Sequence, residues 1–321
     1  MHIDVFAPGV VPAWFLPRGI TLKNPVSFGD WSKSLWRSIL AASLGFSIIA
    51  APRPGWGDDI LTQRSNNLRT GATTSAGLNQ TTVRDFQLLA TLGVDGPVLA
   101  QPLFVQSVNF RGTLRSMVWI ATAKNNIYAF NADPPFEQLG SAIHLDAPYE
   151  PNRADLALVG AALLTCLPED PACQHPIIGI ESTPVIDRDS GTMFVGYRRN
   201  ARLAGEQRLA AIDIRTGQKR SDVAVPGSDV WHKLHRNRAS LLLDHKVVFL
   251  GFAAVNEGKR EGDYGKSYQG WVHAFDADTL FHLGSYRTVR DPGNRGDPLD
   301  DGLDGGGLWQ GSTGLTADGK G

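Results

Sequence analysis

From residue 86 onward, large apolar and polar residues alternate in short runs, and each run breaks at Gly, Pro, Asp or Asn. A period of two bounded by turn residues predicts β-strands. "GWVHAFDADT" at 270–279 is such a strand running into an acidic turn, and "NIYAFNADPP" at 126–135 and "RLAAIDIRTG" at 208–217 repeat it. Two strands precede each copy: "LAQPLFVQSV" (99–108) and "SMVWIATA" (116–123), then both strands of "ESTPVIDRDSGTMFVGYR" (181–198), then both of "RASLLLDHKVVFLGFA" (238–253). A short run follows each copy, at 138–146, 219–227 and 281–289. Four strands joined in order make an antiparallel meander, and meanders repeated along a chain predict an all-β fold of propeller blades. A two-sheet sandwich is the competing arrangement, although it needs no internal repeat.

By this count the chain holds three blades and the start of a fourth. "GLTADGKG" (314–321) reads as a strand entering an Asp-Gly turn, whose return strand should come next. "FQLLATLGV" (86–94) is predicted to be an outer strand that closes the ring against the last blade. Propellers usually take about four to eight blades to close. The chain is therefore expected to be the N-terminal part of a larger protein and to need the remainder of its ring.

The first 57 residues have a different pattern. An apolar run from Ile39 to Ala51 follows Lys33 and Arg37 and ends in a Pro-rich break. That is the layout of a secretory leader, and the run is short for a bilayer span. A buried helix of the fold is the alternative. The expected division is an N-terminal extension with a leader over 1–57 and a partial propeller over 58–321, with an extracytoplasmic mature chain lacking a membrane span.

Composition adds two constraints. The 42% hydrophobic content supports a buried core, and 35 Gly, 19 Pro and eight Trp suit short strands and tight turns. A net charge of -1 offers no large field for steering nucleic acid or an anionic membrane. The basic stretch "HKLHRNR" (232–238) is expected to be a solvated loop rather than a phosphate site. Cys166 and Cys173 flank a Pro-containing loop and predict a disulfide staple in an exported chain. With His175 they make an incomplete zinc set, and in a cytoplasmic chain they would be free thiols.

No Ser-His-Asp spacing, phosphate loop, His-Glu-x-x-His or paired-Cys zinc frame is present, so no catalytic residue is assigned. Asp187, Asp189 and Asp278 stand at strand-ending turns, where Asp ordinarily caps the backbone. Long insertions at 147–180 and 254–267 are expected on one rim, where function tends to collect.

"AIDIRTG" at 211–217 and "AFDADT" at 274–279 resemble the A-x-D-x-x-T-G turn of pyrroloquinoline-quinone-type propeller repeats. Such repeats build quinoprotein alcohol dehydrogenases and their non-enzymatic relatives. "ILTQRSNNLRTGATTSAGLNQTTV", "VDGPVLAQPLFV", "GIESTPVIDRDSGTMFVGY" and "GGGLWQGSTGLTADGKG" are similar to successive segments of secreted bacterial proteins with such repeats, over most of 60–321. In the dehydrogenases a Trp after the turn docks one blade on the next. Here "QKRSDV" and "LFHLGSY" follow, so docking must use other side chains.

"DGGGLWQG" (304–311) resembles the Gly-rich stretch whose Trp forms the floor beneath the quinone. The resemblance implies Gly305, Gly306, Gly307 and Trp309 as cofactor-binding residues, with a spacing one residue shorter than the family's. A blade strand with a buried Trp is the plainer alternative. Several family members hold the quinone under a disulfide of adjacent cysteines, whereas Cys166 and Cys173 are separated by six residues, so only a staple carries over. Two functions follow. The leading one is an exported binding or interaction scaffold whose rim loops contact a protein or small-molecule partner, since propellers host many unrelated functions. The other is a quinoprotein oxidoreductase of alcohols or sugars, using pyrroloquinoline quinone and calcium, with its calcium-binding Asn and catalytic Asp beyond Gly321.

Overall fold

Two strands, β1 (His2–Pro8) and β2 (Phe86–Gly93), pair antiparallel, and each copy of the repeat after them folds into one antiparallel sheet. The computed structural model describes residues 2–8, 58–72, 80, 84, 86–151, 177–201, 205–254, 270–288, 306–309 and 313–320. The leader-like run, Gly305, Cys166 and Cys173 lie outside the described residues. Blade 1 contains β3 (Leu103–Phe110), β4 (Thr113–Ala121), β5 (Asn126–Asn131) and β6 (Ile143–His144). Blade 2 contains β7 (Val185–Asp187), β8 (Thr192–Arg199), β9 (Glu206–Asp213) and β10 (Gln218–Ala224). A short helix, α1 (Asp229–Leu234), is capped by Ser228 and leads through β11 (His235–Arg236) into blade 3. That blade contains β12 (Leu242–Asp244), β13 (Val247–Ala254), β14 (Trp271–Asp276) and β15 (His282–Arg287).

The sheets stack face on face. Val195, Tyr197, Ala210 and Ile212 of blade 2 share a core with Val105, Met117 and Trp119 of blade 1. The alternate residues Phe194, Leu209 and Ala211 share a second core with Val248, Leu250, Phe252 and Phe275 of blade 3. Both faces of blade 2 are therefore covered, which is why β8 is buried along nearly its whole length instead of on alternate residues. Successive stacking of four-stranded meanders is the architecture of a β-propeller. The β1–β2 sheet packs Leu92 and Ile3 over Ile120, Tyr128 and Phe130 on the other face of blade 1.

In each meander the first and third strands run one way and the second and fourth run back. The hairpins at 111–112, 188–191 and 245–246 and the turns at 214–217 and 277–281 consequently share one rim, the turn rim. The opposite ends of these strands form the other rim, the loop rim; most of the insertions expected at 147–180 and 254–267 lie outside the described residues. The turns are closed as their sequences predict: Asp213 accepts from the Arg215 amide at 2.7 Å, and Gly217 takes φ +71. Asp187 accepts from the Asp189 amide at 3.1 Å. In the third copy Asp276 is the cap, taking the amides of Asp278 and Thr279.

Other side chains hold the blades at the turn rim, as the missing Trp requires. Arg111, at the tip of the first hairpin of blade 1, donates its amide to Arg215 O at 2.9 Å and its Nε to Thr216 O at 3.0 Å. Lys246 of blade 3 reaches Asp187 of blade 2 at 2.5 Å.

Two expectations are corrected. The strand expected at 314–321 is a single parallel bridge between Gly314 and Ser240, because a strand needs a ladder partner and none of the described residues runs along its other side. "HKLHRNR" is no solvated loop: His232, Leu234, His235, Arg236 and Asn237 are buried, and Arg238 keeps partial exposure. Its Arg236 is paired with Glu181, 55 residues earlier in the chain. No helix among the described residues is long and apolar enough to cross a membrane.

Candidate functional site

The repeat places equivalent residues side by side where the inner strands begin. Counting back from the first residue of β3, β7 and β12, the second position is Gln101, Thr183 and Ser240, and the fourth is Leu99, Glu181 and Arg238. Ser240 pairs onward with the next copy, its amide donating to Thr313 O at 3.0 Å and its hydroxyl to the same oxygen at 2.8 Å. All of these positions but Ser240 line one cavity of about 250 Å³ on the loop rim, together with Gln63, Ala100 and Thr313. That size lies below the roughly 300–1,000 Å³ typical of drug-sized clefts and suits a small molecule.

The wall is a connected polar layer. Gln101 donates its amide to Thr183 Oγ1 at 2.9 Å, and Thr183 donates its hydroxyl to Gln63 Oε1 at 2.5 Å. Behind it, Arg236 grips both carboxylate oxygens of Glu181, with Nε donating to Oε2 at 2.8 Å. Both side chains are 3% exposed, and Arg238, 32% exposed, brings a second guanidinium to 3.9 Å from the same carboxylate. One carboxylate between two arginines leaves the wall with an excess of one positive charge, on the arginine nearest solvent.

Blades 2 and 3 are locked around this layer. Ser182 donates to Asn237 Oδ1 at 2.6 Å, and Asn237 donates to Gly251 O at 2.8 Å. Gln207 donates its side-chain amide to His235 O at 2.8 Å and its backbone amide to His232 Nδ1 at 3.1 Å, which fixes that nitrogen as unprotonated. A Cβ at Gly196 would overlap the Asn237 side chain, so glycine permits this approach.

Of the sequence-predicted cofactor residues, Gly306, Gly307 and Trp309 lie along the loop-rim end of blade 3. Thr288 donates to Gly306 O at 2.7 Å, and the Leu308 amide donates to Phe252 O at 3.2 Å. Trp309 is half-buried. None of the three belongs to the cavity lining. The Glu181–Arg236–Arg238 group and the polar ring were missed from sequence. The signal was present: aligning the three copies on their inner strands puts the wall residues in register.

The described residues of this wall do not form a calcium site. That cation takes about six to eight oxygen ligands, whereas the carboxylate lining the cavity is already held by Arg236, and among the described residues no three His, Cys, Asp or Glu side chains form a metal cluster. No aromatic side chain is among the described residues that line the cavity.

No protein-family model matches this chain, and no curated protein sequence matches it. Among solved structures it is distantly similar to a europium-containing methanol dehydrogenase, with 16% identity, 74% of this chain and 32% of that one covered, and a TM-score of 0.45. It is also similar to the quinohemoprotein alcohol dehydrogenase of Comamonas testosteroni, with 14% identity, coverage of 76% and 29%, and a TM-score of 0.43. For the quinohemoprotein alcohol dehydrogenase ADHIIG of Pseudomonas putida HK5 the figures are 19%, 66%, 23% and 0.36. The chain thus spans less than a third of the length of these proteins.

Proposed function

We propose that this protein is an exported β-propeller that works as a binding scaffold, taking a small hydroxy- or keto-carboxylate at the axis of its loop rim. The observation that carries the reading is the convergence of repeat-equivalent positions on one cavity whose wall combines neutral donors and acceptors with a single excess guanidinium. Arg238 supplies the charge that a carboxylate needs. Gln63, Gln101, Thr183 and Thr313 suit hydroxyl or carbonyl groups.

Calorimetric titration with gluconate at low ionic strength tests this. Saturable uptake is expected, weakened about tenfold or more in Arg238→Ala, since a charge-assisted hydrogen bond contributes about 1.5–3 kcal/mol. Failure of the parent protein to take up gluconate at millimolar concentration would overturn the reading. The quinoprotein alternative predicts something different: calcium-dependent uptake of pyrroloquinoline quinone that is weakened in Trp309→Ala while the fold stays intact.

A further inference from the structure

The stretch 59–71 runs past the starts of β3, β7 and β12 and touches all three blades in turn. Ile60 pairs with Phe104 of blade 1, and Leu61 O accepts from the Ile186 amide of blade 2 at 2.8 Å. Asn67 donates to Leu243 O of blade 3 at 2.8 Å, and its own carbonyl accepts from the Ala317 amide at 3.2 Å. Arg69 is the hub of this strap. It is 6% exposed, donates Nη2 to Leu241 O at 2.8 Å and Nε to Leu315 O at 3.1 Å, and turns Nη1 back to Gln63 O at 2.9 Å and to the Thr62 hydroxyl. All four acceptors are neutral oxygens. Burial lowers the Arg69 pKa to about 10, still far above neutral pH, so the cation is present whenever the strap is seated.

The strap does not hold this shape by local preference. Arg64, Ser65 and Arg69 have φ of 54, 72 and 55, a left-handed region that side chains other than glycine rarely adopt. Tertiary bonds must hold it, and on the side facing blade 3 Arg69 and Asn67 make them, Arg69 also turning back to bond the strap itself. The residue these bonds fix is Gln63, whose side chain forms part of the cavity wall and accepts from Thr183.

We propose that Arg69 is a positioning residue for the axial cavity: by tying the strap to blade 3 and to the fourth copy, it sets Gln63 against Thr183 and makes ligand affinity depend on how those copies are docked. The proposal rests on the axial-binding reading above. It is not a restatement of it, because Arg69 is absent from the cavity lining and acts through Gln63.

The test is a double-mutant cycle in the full chain with gluconate as the probe, together with amide exchange in the absence of gluconate. Arg69→Lys keeps the charge but cannot span the four acceptors. It is expected to weaken gluconate binding about tenfold and to speed exchange at 61–66 and 313–317 together. Gln63→Ala should weaken binding similarly without changing exchange at 313–317, and the double variant should bind no more weakly than Gln63→Ala. A purely structural Arg69 would lower the unfolding midpoint while leaving affinity unchanged, or give fully additive losses, and either result overturns the proposal. If the parent takes up no gluconate, the binding reading fails. The exchange arm then still decides the strap: unchanged exchange in Arg69→Lys overturns it, and coupled acceleration at the two segments supports it.

Discussion

His273 is 2% exposed in the core shared by blades 2 and 3, packed among Trp231, Phe252 and Trp271. Its Nδ1 lies 3.3 Å from His282 Nε2, and its Nε2 is buried without a partner. The titratable groups around it are His282, His235 and His232. Burial first, and then these neighbouring histidines, lower its pKa from 6.5 to about 4. A folded pKa below the unfolded one means that the unfolded chain binds the proton first, so stability is lost as pH falls from about 6.5 toward 4, by up to about 3 kcal/mol. Asp222 acts in a lower window: burial pushes its carboxyl up, but hydrogen bonds from Tyr197 and Arg208 more than offset this, and that stability is lost only as pH drops below 3.8. Thermal melts between pH 7 and 4.5 should therefore show a falling midpoint in the parent and a flatter profile in His273→Phe. An identical slope in both would contradict this account of the cluster. None of it was legible in the sequence, where "HKLHRNR" has the composition of a solvated segment. Its burial depends on Glu181, in another blade, and on faces that only the stacked sheets bring together.

At the level of the strand and blade, period-two alternation and Asp-Gly-type turns were readable because both are local properties of the backbone. Strands β3 to β5, β9 and β14 begin and end within four residues of the expected segments, and β8 and β13 end within one. Blade docking was not readable, because Arg111 and Lys246 replace an aromatic residue with charged side chains whose partners lie in the next sheet. The Gly179 contact is of the same kind. A Cβ there would overlap the Ala123 carbonyl oxygen and the Asn125 side chain, whereas a Cβ at Gly284 meets nothing within 4 Å. Gly179→Ala is expected to cost about 1–3 kcal/mol through forced separation of blades 1 and 2. Gly284→Ala, in the middle of β15, should be neutral or slightly stabilising. Urea unfolding of the two variants measures the difference, and equal effects would show that the blades do not depend on this approach.

At the scale of the whole molecule, the repeat does more than build scaffold: it brings the starts of successive first strands together around one cavity. Which residue types stand there was visible in the sequence, but their convergence depends on the direction in which the blades stack. We propose that the leader is removed between Ala50 and Asp59, taking β1 with it, and that Cys166 bonds Cys173. Non-reducing mass spectrometry of the exported chain checks both, and a mature chain beginning at Met1 with two alkylatable thiols would refute them. The central claim is that ligand binds at the loop-rim end of the axis. Amide hydrogen exchange of the full chain with and without saturating gluconate tests it most directly. The account predicts ligand-dependent protection at 62–64, 99–101, 181–183 and 238–241, with no change at the turn-rim segments 188–191, 214–217, 245–246 and 277–280. Protection confined to the turn rim, or no protection at the four inner-strand segments, would contradict it.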